Sequence, residues 1–236
     1  MAPKDILVLD NDECLGNFAT SSLMMTIYIH YVSNEFNPPR GDGPLDEYYA
    51  NMVYPYMDKF VSYLEKGIAR PYLKEFIQHV YQLKLQGKIK KVVMYTAASN
   101  NYGWVTFISK LIPTYAGVPL DLYDVVLSRS DTIYRRNVYL KPLIRVDIDQ
   151  SRIVMVDDSP ENIIHHNATI LPVTKYLHHV DLLEHDFMEN IKESYHPVIL
   201  GAIQKDNEQF IKSDMDHSTD SELLHLINQL DQLFSH

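Results

Sequence analysis

"ILVLDNDECLGNF", residues 6–18, runs four apolar residues straight into two aspartates that flank a single asparagine. The apolar run is too short for a helix and does not alternate, so it reads as a strand buried on both faces, the habit of a parallel sheet. Carboxylates at the end of such a strand need a partner. Taken alone, Asp10 and Asp12 would serve an Asx-type turn.

Two further segments repeat the pattern of an apolar run closed by polar, reactive residues. They are "KVVMYTAAS" (91–99) and "RIVMVDDSPEN" (152–162). Between them, Leu73, Phe76, Ile77, Val80 and Tyr81 keep a helical stripe, with Pro71 suited to the first turn and Gly87 to the stop. Trp104, Val105, Ile108, Leu111 and Ile112 form a second stripe that Pro113 is expected to end. Strands alternating with helices predict an α/β fold: a three-layer, Rossmann-like parallel sheet with helices on both faces. Ligands in such sheets bind at the carboxyl ends of the strands, where all three polar clusters lie.

Residues 17–67 break the alternation. "FATSSLMMTIYIHYVSNEF" predicts a helix, "NPPRGDGP" (37–44) a loop, and "DKFVSYLEKG" (58–67) a short helix with a glycine stop. Seven of the 17 tyrosines fall between Tyr28 and Tyr63, either to meet a substrate as a lid or simply to pack. The expected division is therefore a catalytic core of 1–16 and 68–196, a mostly helical insertion or cap at 17–67, and a helical tail at 197–236. In the tail, "DSELLHLINQLDQLF" (220–234) is amphipathic with a capping start. It could pack on the core or pair with another chain.

Bulk composition narrows the function classes. Of 236 residues, 46% are hydrophobic and 22% charged, the balance of a globular protein. The formal charge of −10 and the lack of a Lys/Arg-rich tract argue against direct nucleic-acid binding. No apolar run is long enough to span a bilayer, and "MAPKDILVLD" lacks a secretory pattern. A single cysteine fits a reducing compartment. The expectation is a soluble, intracellular protein of cytoplasm or nucleus.

Bringing the strand ends together gathers Asp10, Asp12, Asp157 and Asp158. Four carboxylates in one crevice repel, so several must be protonated or neutralised by a cation. An all-oxygen cluster favours a hard ion such as Mg²⁺. With a hydroxyl from Thr96 and an ammonium from Lys141, the set describes a phosphate-handling site.

These motifs resemble those of the haloacid dehalogenase superfamily of phosphotransferases: "DNDECL", Thr96 in "YTAAS", Lys141 in "YLKPL", and "VDDSPEN", in that order. The chain is most similar to the serine/threonine phosphatases that act on the C-terminal domain of RNA polymerase II. Arg70, Pro71, Tyr102, Arg129 and Tyr139 also match, and the resemblance runs from about residue 5 to about 175. It implies that Asp10 attacks phosphorus and that Asp12 serves as general acid and base. It implies Mg²⁺ on Asp10, the main-chain carbonyl of Asp12, and Asp158. Thr96, Ala97, Arg129 and Lys141 would bind the phosphate, with Asp157 positioning Lys141. The implied substrate is a phosphorylated protein or peptide, with a small phosphoester or nucleotide as the alternative enzyme reading and a non-catalytic phosphate-binding module as the alternative from another class.

Some residues depart from the branch. Cys14 replaces a threonine, Asn11 a leucine and Pro142 an aspartate, and the insertion is longer and more helical. Arg135 and Arg136 compete with Arg129 for its role, and Thr96 could merely bond its own turn. "VDDSPEN" also reads as a strand followed by a Ser-capped, Pro-started helix facing an anion. Cys14 reads as a small buried hydrophobe. His165, His166, His178, His179 and His185 have no zinc-site spacing.

Overall fold

The computed structural model describes residues 3–32, 45–184, 186–210 and 219–235; the loop expected at 37–44 and His185 lie outside them. The first half holds β1 (Ile6–Leu9), α1 (Ala19–Ile27), α2 (Leu45–Val53), α3 (Met57–Tyr63) and α4 (Leu73–Leu85). The middle holds β2 (Lys91–Tyr95), α5 (Trp104–Ala116), β3 (Val125–Leu127), β4 (Ile133–Arg135) and β5 (Val138–Pro142). After these come β6 (Ile153–Asp157), β7 (Ile163–Ile164), β8 (Thr169–Pro172), α6 (His196–Phe210) and α7 (Glu222–Leu233).

The main sheet has the order β3-β2-β1-β6-β8, and every neighbouring pair is parallel. Continuous apolarity in the three central strands has the expected cause. Leu7, Leu9, Val92, Met94, Val154 and Val156 enter the core shared with the α-helices. Ile6, Val8, Val93, Ile153 and Met155 enter a second core with Leu143, Val146 and Ile163. That second face is roofed by the 3₁₀ turn Leu143–Arg145 and a small sheet of order β4-β5-β7. Asp5, just ahead of β1, takes two bonds from Arg152 (2.9 and 2.8 Å) and one from Lys90 (3.1 Å). It thereby ties together the entries of all three central strands, which fixes their carboxyl ends relative to one another.

The structure corrects three expectations. Pro113 lies inside α5 rather than ending it. The helix stops at Gly117, left-handed at φ 70, where the Val118 and Gly117 N–H groups return to the carbonyls of Pro113 and Thr114. That closure satisfies the last carbonyls. After Asp158 the chain makes only a 3₁₀ turn, Pro160–Asn162, and Ser159 makes no cap bond; Ile163 and Ile164 then pair with Lys141 and Pro142, which draws the backbone out of helix. Strands β3 and β8 were not anticipated.

The excursion after β1 leaves and returns at one point. Gly16 bridges to Ala69, and the Asn17 N–H donates to the Ile68 carbonyl at 2.9 Å. A Cβ on Gly16 would meet that carbonyl at 2.6 Å, so only glycine allows the pinch. α1 continues into a π-helical turn, Tyr28–Val32, and α3 into another, Leu64–Ile68, where Gly67 reverses at φ 117. Several of the clustered tyrosines are core. Tyr28 packs against Tyr56, Phe60 and Phe187 at centroid distances of 4.6, 5.6 and 5.9 Å. Phe60 meets Phe107 of α5 at 4.8 Å.

In the tail, α7 lies on α4 and buries Leu223, Leu226 and Leu230. Asp220, rather than Ser221, caps it, accepting from the Glu222 N–H at 3.0 Å. Among the described residues no helix is long and apolar enough to cross a membrane.

Candidate active site

Asp10 follows β1, Thr96 follows β2, and Asp157 closes β6, so the parallel register carries all three to the same end of the sheet. Lys141 arrives from β5 in the small sheet. Its buried ammonium bridges Asp10 Oδ1 and Asp157 Oδ2, each at 2.7 Å. The other Asp157 oxygen accepts from the Ser159 N–H at 2.7 Å. Across the cleft the Thr96 hydroxyl donates to Asp12 Oδ2 at 3.0 Å and accepts from the Ala98 N–H at 2.9 Å.

Arg129 donates from Nε to the Ala97 carbonyl at 2.8 Å and lies 4.4 Å over the Tyr139 ring. It lines the cleft; Arg135 and Arg136 do not. The cleft, about 570 Å³, is also lined by Asp10, Asp12, Ala97, Lys141 and Asp158, so the residues expected to act together lie together.

Electrostatics separates the carboxylates. Burial pushes Asp10 well above the ordinary carboxyl range; Lys141 opposes this, while Asp157 and a hydrogen bond with Asp158 add to it. Burial also raises Asp158, but hydrogen bonds from Asp10 and Ser159, with the charges of Lys175 and Lys141, outweigh it and hold Asp158 low. Burial thus works against charge on Asp10, while its neighbours favour charge on Asp158. Burial raises Asp12 too, against the Thr96 hydrogen bond and Lys141. Burial would lower Lys141, but Asp10 and Asp157 reverse that and keep it charged.

The donor set suits a hard divalent cation. Carboxylate oxygens of Asp10, Asp157 and Asp158 lie within 4.8 Å of one another. In formal charges, Asp10, Asp12, Glu13, Asp157 and Asp158 outnumber Arg129, Lys141 and Lys175 by two, so the cleft is acidic. Asp157 already spends both oxygens on Lys141 and Ser159, so of the three carboxylates it has least left to offer a cation.

Two residues here have no role in the sequence reading. Glu13 adopts a left-handed backbone at φ 62, and Lys175, just beyond β8, pairs with it. The run "TILPVTK" (169–175) repeats the pattern of an apolar stretch closed by a charged residue, which is the signal that would have found Lys175. Cys14 is buried and free. His179 bonds to Thr20 and Asn207, and no histidine joins an acidic cluster among the described residues.

A family model described as NLI interacting factor-like phosphatase matches residues 5–195. Phosphatase Herzog of Drosophila melanogaster is 28% identical over 109 residues, which cover 46% of this chain. The match spans 27% of that relative, about a quarter of its length. Among solved structures, CbbY from Rhodobacter sphaeroides in complex with phosphate shares 14% identity over 75% of this chain and 90% of that one, with a TM-score of 0.36. A HAD-superfamily hydrolase from Geobacter sulfurreducens shares 14% over 67% and 82%, with a TM-score of 0.33.

Proposed function

The chain belongs to the NLI interacting factor-like phosphatase family, and from that premise we propose that it hydrolyses phosphoserine or phosphothreonine esters in protein segments. The observation that carries the chemistry is the Lys141 bridge between Asp10 and Asp157, facing the Thr96–Asp12 pair. Asp10 attacks phosphorus, the P–O ester bond breaks, and the proton on Asp12 goes to the departing alkoxide. Water then attacks the phosphorus of the aspartyl phosphate as Asp12 takes its proton, the P–O bond to Asp10 breaks, and inorganic phosphate leaves with the Asp10 carboxylate restored. Thr96, the Ala97 main chain, Lys141 and Arg129 hold the phosphate oxygens, while Asp157 aims Lys141.

Asp10, Asp158 and the Asp12 main-chain carbonyl would hold Mg²⁺, which when bound supplies charge neutralisation for one anion approaching another. The free thiol at Cys14 accords with work in a reducing compartment, cytoplasm or nucleus. In the same reading, residues 17–67 act as a cap on a core of 1–16 and 68–196, and 197–236 as a supporting tail.

A protein substrate is supported by the shape of the cleft. A second compartment of about 700 Å³, lined by Asp46, Tyr49, Asn100, Ser128 and Ser130, opens beside the first and shares Ser99, Asn101, Tyr102 and Arg129 with it. A small phosphoester fills one compartment; a chain continuing past a phosphorylated residue uses both. The insertion forms one wall of the second, through α2. That wall packs closely on the start of α5: a Cβ on Gly103, at φ 71, would strike the Asp46 carbonyl at 1.9 Å, and Asn100 Nδ2 donates to Asp46 Oδ2 at 2.9 Å. Tyr49 meets Tyr102 edge-on at 5.2 Å.

Tyr49→Ala is therefore expected to lower kcat/KM on a phosphoserine peptide by about tenfold and leave an aryl phosphate within about twofold. Steady-state kinetics on both substrates checks this. Equal losses on both would sink the peptide groove and favour a small phosphoester.

A further inference from the structure

The cleft holds a cation that the proposed chemistry does not use. Lys175 is half-exposed, and its ammonium lies 2.5 Å from Glu13 Oε2 and 3.4 Å from Asp158 Oδ2. Asp158 itself is nearly inaccessible, with 4% of its side chain exposed.

Glu13 is no ordinary surface partner. Its backbone is held in the left-handed region by its own N–H, which donates to the Gly16 carbonyl at 2.9 Å. Its carbonyl accepts from the Tyr176 N–H at 2.7 Å. The segment carrying Lys175 is thus clipped, by backbone and by side chain, to the loop between Asp12 and Gly16. The ammonium is thereby held between Glu13 and Asp158.

We propose that Lys175 is a tethered counter-charge that weakens the divalent-metal site at Asp158, so that Mg²⁺ binds against a positive charge held beside it. This rests on the reading of Asp10 and Asp158 as Mg²⁺ ligands. Without a metal, the ammonium sits 3.4 Å from Asp158 Oδ2 and offsets the charge of its acidic neighbours. With a metal on Asp158, the same charge repels the ion, and the Glu13 tether keeps it from withdrawing. A lysine that only braced the loop would have the opposite effect, since its loss would disorder Asp158 and loosen the metal. The sign of the change therefore discriminates.

The test is calorimetric titration of MgCl₂ into the metal-free full chain, for wild type, Lys175→Met, Lys175→Gln, Lys175→Arg and Asp158→Asn. Lys175→Met and Lys175→Gln are expected to bind Mg²⁺ about three- to tenfold more tightly, and Lys175→Arg within about twofold of wild type. Unchanged or weaker binding in both neutral variants, with wild-type thermal unfolding, overturns the proposal while leaving the metal site standing. No Mg²⁺ binding by wild type, or undiminished binding by Asp158→Asn, overturns the metal reading and this inference with it.

Discussion

Asp12→Asn is expected to release about one equivalent of nitrophenol from an aryl phosphate and then stall, in the pattern of a trapped covalent enzyme. A good leaving group departs without a proton, so the first step survives, whereas hydrolysis of the aspartyl phosphate needs a base to take a proton from water. On a phosphoserine peptide the alkoxide must be protonated as it leaves, so even the first step slows, by about 10²–10⁴-fold. Asp12 is placed for both tasks. It is buried, its proton affinity is raised by that burial, and Thr96 Oγ1 holds it at 3.0 Å.

The sign of the pH dependence follows. Cleavage of the serine ester requires protonated Asp12, so its rate falls as pH rises through the pKa of that group, which lies above the ordinary carboxyl range. The asparagine variant loses that limb. Stopped-flow release of nitrophenol, read beside phosphate release from the peptide, separates the two steps. Full steady-state turnover by Asp12→Asn contradicts the assignment.

The second large effect is on stability. Arg70 is wholly buried and spends its guanidinium on three parts of the chain. Nη1 donates to the carbonyls of Cys14 (3.1 Å) and Thr174 (2.8 Å), Nη2 to Thr174 Oγ1 (2.9 Å), and Nε to Asp220 Oδ2 (2.9 Å). It therefore joins the Asp10–Asp12 loop, the segment after β8 and the start of α7. Arg70→Leu strands these acceptors and leaves Asp220 without its cation. The expected cost is about 3–5 kcal/mol of unfolding free energy, the range for breaking a buried pair by removing one partner. Arg70→Lys recovers only part of it, because an ammonium cannot span the same fork. Urea denaturation of the full chain checks this; a loss below about 1 kcal/mol would mean the tail contributes little to the core.

The strands most legible in sequence are those buried on both faces. β1, β2 and β6 announce themselves because every residue from Ile6 to Leu9 and from Ile153 to Asp157 is inside. β3 and β8 lie at the sheet edges with partly exposed residues, so their runs look like ordinary mixed sequence. Pro113 misled because a proline in a last turn can be tolerated when a left-handed glycine beyond it closes the carbonyls. The short turn after Asp158 could not be told from a helix start, because pairing between Ile163 and Lys141 is a tertiary event. At the site, Asp10, Asp12, Thr96 and Lys141 could be read from motif order. Lys175 closes an apolar run that could have flagged it, but what gives it meaning is the backbone clip between Tyr176 and Glu13, remote in sequence. Whether the tyrosines of the insertion line a groove or fill a core was likewise a matter of packing; Tyr28 fills a core and Tyr49 lines a groove.

The central claim is that Asp10 carries the phosphoryl group in a magnesium-supported reaction. Phosphate release from a phosphoserine peptide, measured for the full chain in Mg²⁺ and in chelator beside Asp10→Asn, tests it most directly. The expected result is turnover that needs Mg²⁺ and falls by at least about 10³-fold in Asp10→Asn. Turnover by Asp10→Asn at the wild-type rate, or a folded, Mg²⁺-binding wild type that releases no phosphate, would contradict it.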